Sequence, residues 1–275
     1  MSLAAELLAA FRCHWRHYVA EAAGLAFFIT CGSLLTVALE HPASPLHQAL
    51  LGEEVLRRGL LGIGMGLAIV TIVYSPWGKQ SGAHINPAVT LAFWQLGKIR
   101  PADALWYCLV QVLGGLGSAW LWAQVLGPHY AHPTVHYLTT KPGPTGTAVA
   151  FLAEFLISFI LMGAMLLALH HPRLKKAAGW LVGALIWLYI LVETPYSGMS
   201  LNPARSLASA VVANDFQGVW VYIAGPLGAM WLATVLFLRY HHGQALACAI
   251  VAGCEAMPNS PHAEEPPLYP TAQPE

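Results

Sequence analysis

The chain has 275 residues, of which 57% are hydrophobic and only 9% are charged, and its formal net charge is zero. Soluble domains carry about 25% charged residues, so this composition argues against an ordinary soluble domain and favours a membrane protein. A balanced charge offers no basic surface for nucleic acid. The five cysteines have neither zinc-site spacing nor the pattern of a disulfide framework. We therefore expect no metal, no cofactor and no nucleic-acid partner.

Six apolar stretches are long enough, or nearly so, to cross a bilayer as helices. In chain order they are 18–39, 59–74, 104–126, 147–169, 179–192 and 218–238. The second and the fifth are short, so we expect each to extend a few residues into its flanks. Such a pattern predicts an α-helical protein that crosses the membrane several times.

Two further apolar pieces, 83–96 and 201–213, lie after the second and the fifth stretch. They are too short to span a bilayer and too apolar to be ordinary solvated loops. A re-entrant half-helix is the remaining option, since protein can surround its exposed backbone ends. The predicted fold class is therefore an all-α membrane protein with six transmembrane helices and two re-entrant half-helices.

A short phrase opens each of these two pieces: Ser-Gly, three residues, then Asn-Pro-Ala, at 81–88 and again at 197–204. Asn is a good helix N-cap and Pro is favoured at the first helical position, so each copy predicts a helix start. Each half of the chain has three spans, an odd number, so the second half must be inverted relative to the first. Inverted repeats place a functional site near the bilayer midplane, where two broken helices meet.

Two Asn side chains at that midplane suggest how ions would be excluded. A capping Asn uses its oxygen on its own helix, so we expect its amide NH2 to stay free to donate to a passing water. Water held by two such donors cannot also accept from both neighbours in a file, which interrupts a proton wire. The positive ends of both half-helices add an electrostatic barrier to cations.

The chain divides into a predicted channel domain, 18–240, and two end segments. The first repeat covers about 18–126 and the second about 147–240, with an N-terminal segment at 1–17. The tail, 241–275, is rich in Pro and Glu from Met257 onward, and we expect it to be disordered. Nine Lys and Arg residues fall on the side of the termini and four on the other. This bias predicts that both termini are cytoplasmic.

Two carboxylates, Glu21 and Glu154, lie at matching places in the two repeats, inside predicted spans. A carboxylate in a membrane span is costly and needs a partner, which favours structural support of the two loops over a helix-end charge. His84, inside the first phrase, could sense pH, but we expect it to make structural hydrogen bonds instead.

These features together resemble the aquaporin (major intrinsic protein) family over roughly residues 18–240. The residues that carry the resemblance are Glu21, Ser81-Gly82-Ala83-His84, Asn86-Pro87-Ala88, Glu154, Ser197-Gly198 and Asn202-Pro203-Ala204-Arg205. The resemblance implies a pore whose midplane is formed by both Asn-Pro-Ala copies. It also implies a homotetramer with one pore per subunit, in the plasma membrane.

The resemblance further places a selectivity filter on four residues: Met65, Ile190, Met199 and Arg205. Met65 is the least direct of these because an apparent one-residue insertion lies within 76–80. Arg205 would donate hydrogen bonds to the permeant molecule and repel cations. The other three are apolar, whereas water-selective members of the animal type typically carry an aromatic residue and a His.

Positions after the second phrase lean toward water. Glycerol-conducting relatives usually carry Asp directly after the Arg, but this chain has Ser206. Ala210 and Tyr222 also fit the water-conducting pattern, although Ile223 does not. The resemblance therefore favours the water-channel branch, and a glycerol or small-polyol facilitator is the alternative.

The predicted function is passive conduction of water, and of other small neutral solutes, with exclusion of protons and ions. A secondary active transporter also uses inverted repeats and broken helices, but it needs an ionisable coupling residue on the pathway. Apart from Arg205, the sequence offers no good candidate for that role. An enzyme is disfavoured because no nucleophile–base set or phosphate-binding loop is recognisable.

Overall fold

The computed structural model describes residues 3–241, 246 and 249–253. Within these residues every long element is an α-helix. The helices are α1 (Leu3–Glu40), α2 (Pro45–Ala49), α3 (Glu54–Tyr74), α4 (Pro76–Ser81), α5 (Pro87–Gln95), α6 (Pro101–Leu126), α7 (Pro128–Ala131), α8 (Thr147–His170), α9 (Ala178–Val192), α10 (Thr194–Ser197), α11 (Pro203–Ala213) and α12 (Val221–Tyr240). Two short 3-10 turns lie at His136–Leu138 and Lys175–Ala177.

Six of these helices, α1, α3, α6, α8, α9 and α12, are long and apolar enough to cross a membrane. The second and the fifth predicted spans do extend into their flanks. Helix α3 begins at Glu54, and the 3-10 turn lengthens the fifth span to Lys175–Val192. The 38 residues of α1 give a helix of about 57 Å, far longer than the roughly 30 Å hydrocarbon core. The predicted N-terminal segment is therefore the first part of α1.

The half-helices α5 and α11 have nine and eleven residues, or about 14 Å and 17 Å of length. Each is close to half of the roughly 30 Å apolar thickness. Asn86 and Asn202 have extended backbones and cap α5 and α11 with their side-chain oxygens, and a proline occupies the first turn of each helix. The predicted re-entrant half-helices are thus confirmed, and the sequence rule for their start holds in both copies.

The pattern of helix packing has a two-fold character. Helix α1 packs along α6, α8 packs along α12, and α3 packs along α9. Half-helix α11 of the second repeat lies against α6 of the first, and α5 of the first lies against α12 of the second. Each repeat therefore holds the half-helix of the other, so the two repeats form one interlocked unit.

Glycines allow the closest of these crossings. In lipid the hydrophobic effect does not drive helices together, so close van der Waals contact must hold them, and small residues permit that contact. A Cβ at Gly66 on α3 would lie only 2.5 Å from the carbonyl oxygen of Gly183 on α9. A Cβ at Gly183 would likewise lie 2.8 Å from the Gly66 carbonyl oxygen. The α3–α9 contact thus brings two backbones together at matching places in the repeats.

The outer face of the helices is apolar. Large side chains such as Leu67, Leu113 and Leu156 are each more than half exposed. A soluble protein rarely exposes so continuous an apolar surface. Lipid is the surrounding that suits this surface, in agreement with a multi-pass membrane protein.

The start of the tail differs from the prediction. Leu246, Ala249, Ile250 and Val251 are all buried, with at most 4% of their surface exposed. Leu246, Ala249 and Val251 belong to the main core, so disorder does not describe this part of the tail. The predicted disorder from Met257 onward lies outside the described residues.

Candidate pore

The two loops before the half-helices have the same unusual backbone. In each loop the residues three and one before the capping Asn have positive φ, a conformation that costs energy for side chains other than Gly. These residues are Ala83 (56°), Ile85 (44°), Met199 (51°) and Leu201 (62°). Such strain persists only where surrounding contacts hold it, so the partners of these loops matter.

Glu21 and Glu154 provide those contacts. Glu21 is fully buried and accepts the backbone N–H groups of His84 (3.0 Å) and Ile85 (2.5 Å). Glu154 is equally buried and accepts those of Ser200 (2.6 Å) and Leu201 (2.9 Å). Each carboxylate therefore anchors the backbone of its own loop. This is the contact expected of a supporting residue, at matched places in the two repeats.

A second matched pair was not foreseen from the sequence. The Tyr107 hydroxyl on α6 donates to the Ser81 carbonyl at 2.7 Å, and the Tyr222 hydroxyl on α12 donates to the Ser197 carbonyl at 2.6 Å. Both tyrosines are completely buried. They follow their Asn-Pro-Ala copies at similar distances along the chain, and an alignment of the two halves would have paired them.

The two capping asparagines bond to each other's loops. The Asn86 side-chain oxygen accepts from the Ala88 N–H (2.9 Å), and its Nδ2 donates to the Leu201 carbonyl (2.8 Å). The Asn202 oxygen accepts from the Ala204 N–H (3.0 Å), and its Nδ2 donates to the Ile85 carbonyl (2.7 Å). The prediction that the whole NH2 group stays free is therefore wrong, because one N–H of each Asn donates to a carbonyl of the other loop. An NH2 group has two donors, so the second N–H of each Asn remains for the pore.

Both asparagines line an inner cavity of about 60 Å³. Its walls include the strained loop residues together with apolar side chains of four spanning helices, such as Phe28, Ile69, Met165 and Ile186. Pro87, Ala88, Pro203 and Ala204 form the buried first turns of α5 and α11 beside it. A cavity of this size holds a short file of waters, since about 10–15 Å³ of such space suffices for one.

All four predicted filter residues meet at a second, outer cavity of about 330 Å³. Met65, Ile190, Met199 and Arg205 all line it. The apparent insertion before the first phrase lies within helix α4, and Met65 lines this cavity despite it. Phe28, Met199 and Ser200 line both cavities, so the two meet at this ring of side chains.

Arg205 is one of the polar side chains that line the outer cavity. Its Nη1 is buried and has no hydrogen-bond partner among the described residues. An unsatisfied buried donor costs about 1–3 kcal/mol unless something accepts from it. The role of Arg205 as a hydrogen-bond donor to the permeant molecule in this cavity stays a prediction.

Leu138 is a filter neighbour that sequence reasoning missed. It has a positive φ of 59° in the connection between α7 and α8, and it lines the outer cavity. A Cβ at Gly32 on α1 would lie 3.1 Å from a Leu138 methyl and 3.5 Å from the Met65 methyl. Gly32 thus leaves the space that these two side chains share. Long connections carry no periodic signal, which is why the sequence did not point to Leu138.

A charged cluster lies near the outer rim. Lys141, from the connection between α7 and α8, pairs with Asp215, which follows α11, and His136 lies 3.8 Å from the same carboxylate. The hydrogen bond from Lys141 holds the pKa of the Asp215 carboxyl below its usual range. Because Asp215 stays charged, this pair ties the connection to the end of the second half-helix.

Several plant proteins are similar in sequence to this chain. It is 38% identical over 167 residues to aquaporin NIP1-3 of Oryza sativa subsp. japonica, a match that covers 60% of this chain and 56% of the relative. It is 36% identical over 174 residues to a probable aquaporin NIP7-1 of Arabidopsis thaliana, covering 62% and 60%. The chain thus spans less than two thirds of the length of the relatives it matches.

A solved structure and a family model extend the comparison across most of the chain. The X-ray structure of the aquaglyceroporin from Plasmodium falciparum superposes with a TM-score of 0.66, covering 83% of this chain and 95% of that one. At 21% identity this likeness establishes the fold alone. The model of the major intrinsic protein family matches residues 9–237. With the doubled Asn-Pro-Ala loops and the interlocked half-helices, the chain belongs to the major intrinsic protein family.

Proposed function

We propose that this protein is a passive membrane channel for water and small neutral solutes. One observation carries the proposal: both capping asparagines bond across the midplane and line a cavity that meets the outer cavity of Arg205. The described residues on this path offer hydrogen-bond donors at the Asn pair and at Arg205. A solute that carries an oxygen can move between these donors without losing all of its hydrogen bonds.

Proton and cation exclusion follows from the same contacts. One N–H of each Asn side chain, in Asn86 and in Asn202, donates to a loop carbonyl, and this hydrogen bond fixes the plane of the amide. The second N–H of each amide therefore has a defined direction. Two fixed donors orient a water molecule so that it cannot relay a proton along the file. The N-terminal ends of α5 and α11 add positive potential at this point, and Arg205 adds a full positive charge outside it.

The chemistry of the filter suggests which solutes pass. Met65, Ile190 and Met199 give the outer cavity apolar side chains, and Arg205 lines the same cavity. A small polyol could place its carbons on these apolar side chains and its hydroxyls on Arg205, so glycerol is the solute whose flux must be measured beside that of water. We favour water as the main permeant because Ser206, Ala210 and Tyr222 fit the water-conducting pattern.

The membrane arrangement is part of the proposal. The bias of Lys and Arg supports cytoplasmic termini, with the first Asn-Pro-Ala loop entering from the cytoplasm and the second from outside. We assign the protein to the plasma membrane and to a homotetramer in which each subunit has its own pore. The apolar outer face of the helices is compatible with both lipid and neighbouring subunits.

Stopped-flow light scattering on proteoliposomes tests the proposal, with substitution of Met199 as the blocking variant. Because Met199 lines both cavities, Met199→Trp should fill their junction. We expect wild-type vesicles to shrink faster in an osmotic step than protein-free vesicles, and Met199→Trp vesicles to shrink at the protein-free rate. Glycerol entry is followed in the same instrument from the reswelling phase.

Leu105→Trp is the matched control, because Leu105 is 54% exposed on the outer face of α6 and lines neither the inner nor the outer cavity. Its vesicles should behave as the wild type does. A wild type that adds nothing to the protein-free rate would contradict the channel proposal. Equal flux through wild type and Met199→Trp would remove Met199 from the pathway.

A further inference from the structure

Leu246 and residues 249–253, which follow α12 in the chain, lie at the inner cavity beside the first Asn-Pro-Ala loop. Leu246, Ala249, Ile250 and Val251 are at most 4% exposed, and all but Ile250 belong to the main hydrophobic core. Burial of apolar side chains stabilises their position in the fold. Val251 also lines the inner cavity together with Asn86.

Specific hydrogen bonds hold the segment to the first loop. The Val251 N–H donates to the Gly82 carbonyl at 3.1 Å. The His84 Nε2 lies 2.9 Å from the Ala249 carbonyl, which can only accept, so this nitrogen carries the proton. In the neutral ring, His84 Nδ1 then accepts from the Thr90 hydroxyl at 3.2 Å. The bonds that hold the segment, from Val251 to Gly82 and from His84 to Ala249, both involve the first loop, which shapes the midplane.

The anchor continues into the support of that loop. Thr90 accepts from the Gln111 side-chain amide at 3.0 Å, and the same amide donates to Glu21 at 2.8 Å. The His84 ring also stacks on Phe93 with centroids 4.7 Å apart. The His84 ring is therefore held by Thr90 and Phe93 of the first repeat, and its Nε2 is directed to the segment. The ring is a rigid donor for the Ala249 carbonyl.

The other end of the segment reaches the second repeat. Gly253 has a φ of 86°, and a Cβ there would lie 2.9 Å from the Lys175 carbonyl oxygen. Lys175 opens the 3-10 turn between α8 and α9. The segment thus crosses the mouth of the pore, from the loop of the first repeat to a connection of the second.

We propose that this segment, comprising Leu246 and residues 249–253, is an autoinhibitory plug for the pore. It closes the mouth next to the first half-helix, and Val251 is the side chain that occupies the end of the inner cavity. His84 has a role beyond its loop, as the donor that seats the plug. This inference rests on the proposed channel function, because a plug regulates only a pathway that conducts.

The energetics suit a reversible plug better than a permanent seal. Its hydrogen bonds and buried apolar side chains hold the segment in place, whereas the conformational entropy lost on ordering it opposes them. Where such opposing contributions nearly cancel, roughly 0.1–10% of molecules are in the minor state. An open minority would account for basal flux, and its share would rise when the segment is displaced.

Osmotic flux through a full-length Val251→Asp variant tests the plug. A carboxylate is costly in the apolar cavity, so the segment should leave it. We expect water flux per reconstituted protein to rise by about tenfold over the wild type, because the plugged state is the major one. Leu174→Asp is the control: Leu174 is 51% exposed in the α8–α9 connection, and its variant should conduct as the wild type does.

The outcomes separate the plug from the channel. Equal flux through wild type and Val251→Asp, both above protein-free vesicles, would overturn the plug and leave the channel standing. Flux at the protein-free level in all variants would overturn the channel function instead. A rise with Val251→Asp alone, from a wild-type flux that is itself above that of protein-free vesicles, would support both, whereas an equal rise with Leu174→Asp would overturn the assignment to Val251.

Hydrogen–deuterium exchange of the wild-type protein in nanodiscs gives a second test that needs no variant. Since the Val251 N–H is bonded to Gly82 and buried, its peptide should exchange at least about tenfold more slowly than unstructured chain. Exchange at the rate of unstructured chain would overturn the plug even if Val251→Asp failed to fold.

Discussion

Buried polar side chains carry most of the specific information at the scale of single residues. Asn86, Asn202, Glu21 and Glu154 each make contacts that have a counterpart in the other repeat. The carboxylates hold the loops in a strained backbone, and the asparagines bond the loops to each other. Arg205 differs, because it has no counterpart in the first repeat, where Val89 occupies the matching position.

Loss of the Glu154 carboxylate should destabilise the fold. Glu154→Ala leaves the Ser200 and Leu201 N–H groups and the Ser197 hydroxyl without their acceptor. At about 1–3 kcal/mol for each buried group, the free energy of unfolding should fall by about 3 kcal/mol or more. Glu154→Gln keeps one acceptor oxygen and should lie between Ala and the wild type. Thermal unfolding in detergent micelles measures the order.

Glu53→Ala is the matched control for that series. Glu53 is exposed and makes no capping hydrogen bond at the start of α3, so its loss should change the free energy of unfolding by less than about 0.5 kcal/mol. If Glu154→Ala unfolds at the same temperature as Glu53→Ala, the carboxylate does not support the second loop.

Motif and position predicted several of these residues. The Asn-Pro-Ala copies identified the caps, and family alignment placed Met65 at the outer cavity despite the insertion. The cross-loop bonds of Asn86 and Asn202 were not predictable, because capping rules describe only the helix that a residue begins. Tertiary packing brings the carbonyls of Ile85 and Leu201 close to the asparagine amides, and no local sequence pattern predicts this contact.

At the scale of helices, close backbone contact sets which positions tolerate a side chain. Gly114 and Gly117 lie on the same helix, α6, but face different surroundings. A Cβ at Gly114 would lie 2.3 Å from the Ala22 carbonyl oxygen on α1, whereas a Cβ at Gly117 would have no atom within 4 Å. The pair therefore separates the effect of helix packing from the effect of helix propensity.

Gly114→Ala should lower the unfolding temperature, because the α1 backbone must move away from α6. Gly117→Ala should leave it unchanged or raise it, since Ala in a helix is about 1 kcal/mol more favourable than Gly. Both variants are compared by thermal unfolding in the same detergent. Equal shifts in the same direction would contradict the close contact between α1 and α6.

Composition found the spans but not all of their limits. Hydropathy located the apolar parts of α1 and α3, yet both helices begin earlier, at Leu3 and Glu54. Charged residues in their first turns lie outside the apolar region, so they interrupt a hydropathy signal without interrupting the helix. Half-helices α5 and α11 were better defined, because Asn and Pro mark their starts.

At the scale of the whole molecule, the two repeats and the tail define one pathway with two ends. The outer end is wide and lined by the filter residues, and the inner end holds the segment around Val251. The sequence contained a signal for that segment, the apolar run at 245–252. The Pro- and Glu-rich composition farther along led to the prediction of disorder for the whole tail. Burial of Leu246 and of residues 249–251 is a tertiary effect, because the rest of the fold supplies their apolar partners.

The pathway between the two asparagines should pass neutral molecules and exclude protons. Wild-type protein in vesicles that contain a pH-sensitive dye allows both fluxes to be followed in one preparation. After an osmotic step, water should leave faster than from protein-free vesicles. After an acid step, the interior should acidify no faster than in protein-free vesicles. Water flux at the protein-free rate, or acidification that rises in proportion to water flux, would contradict the account.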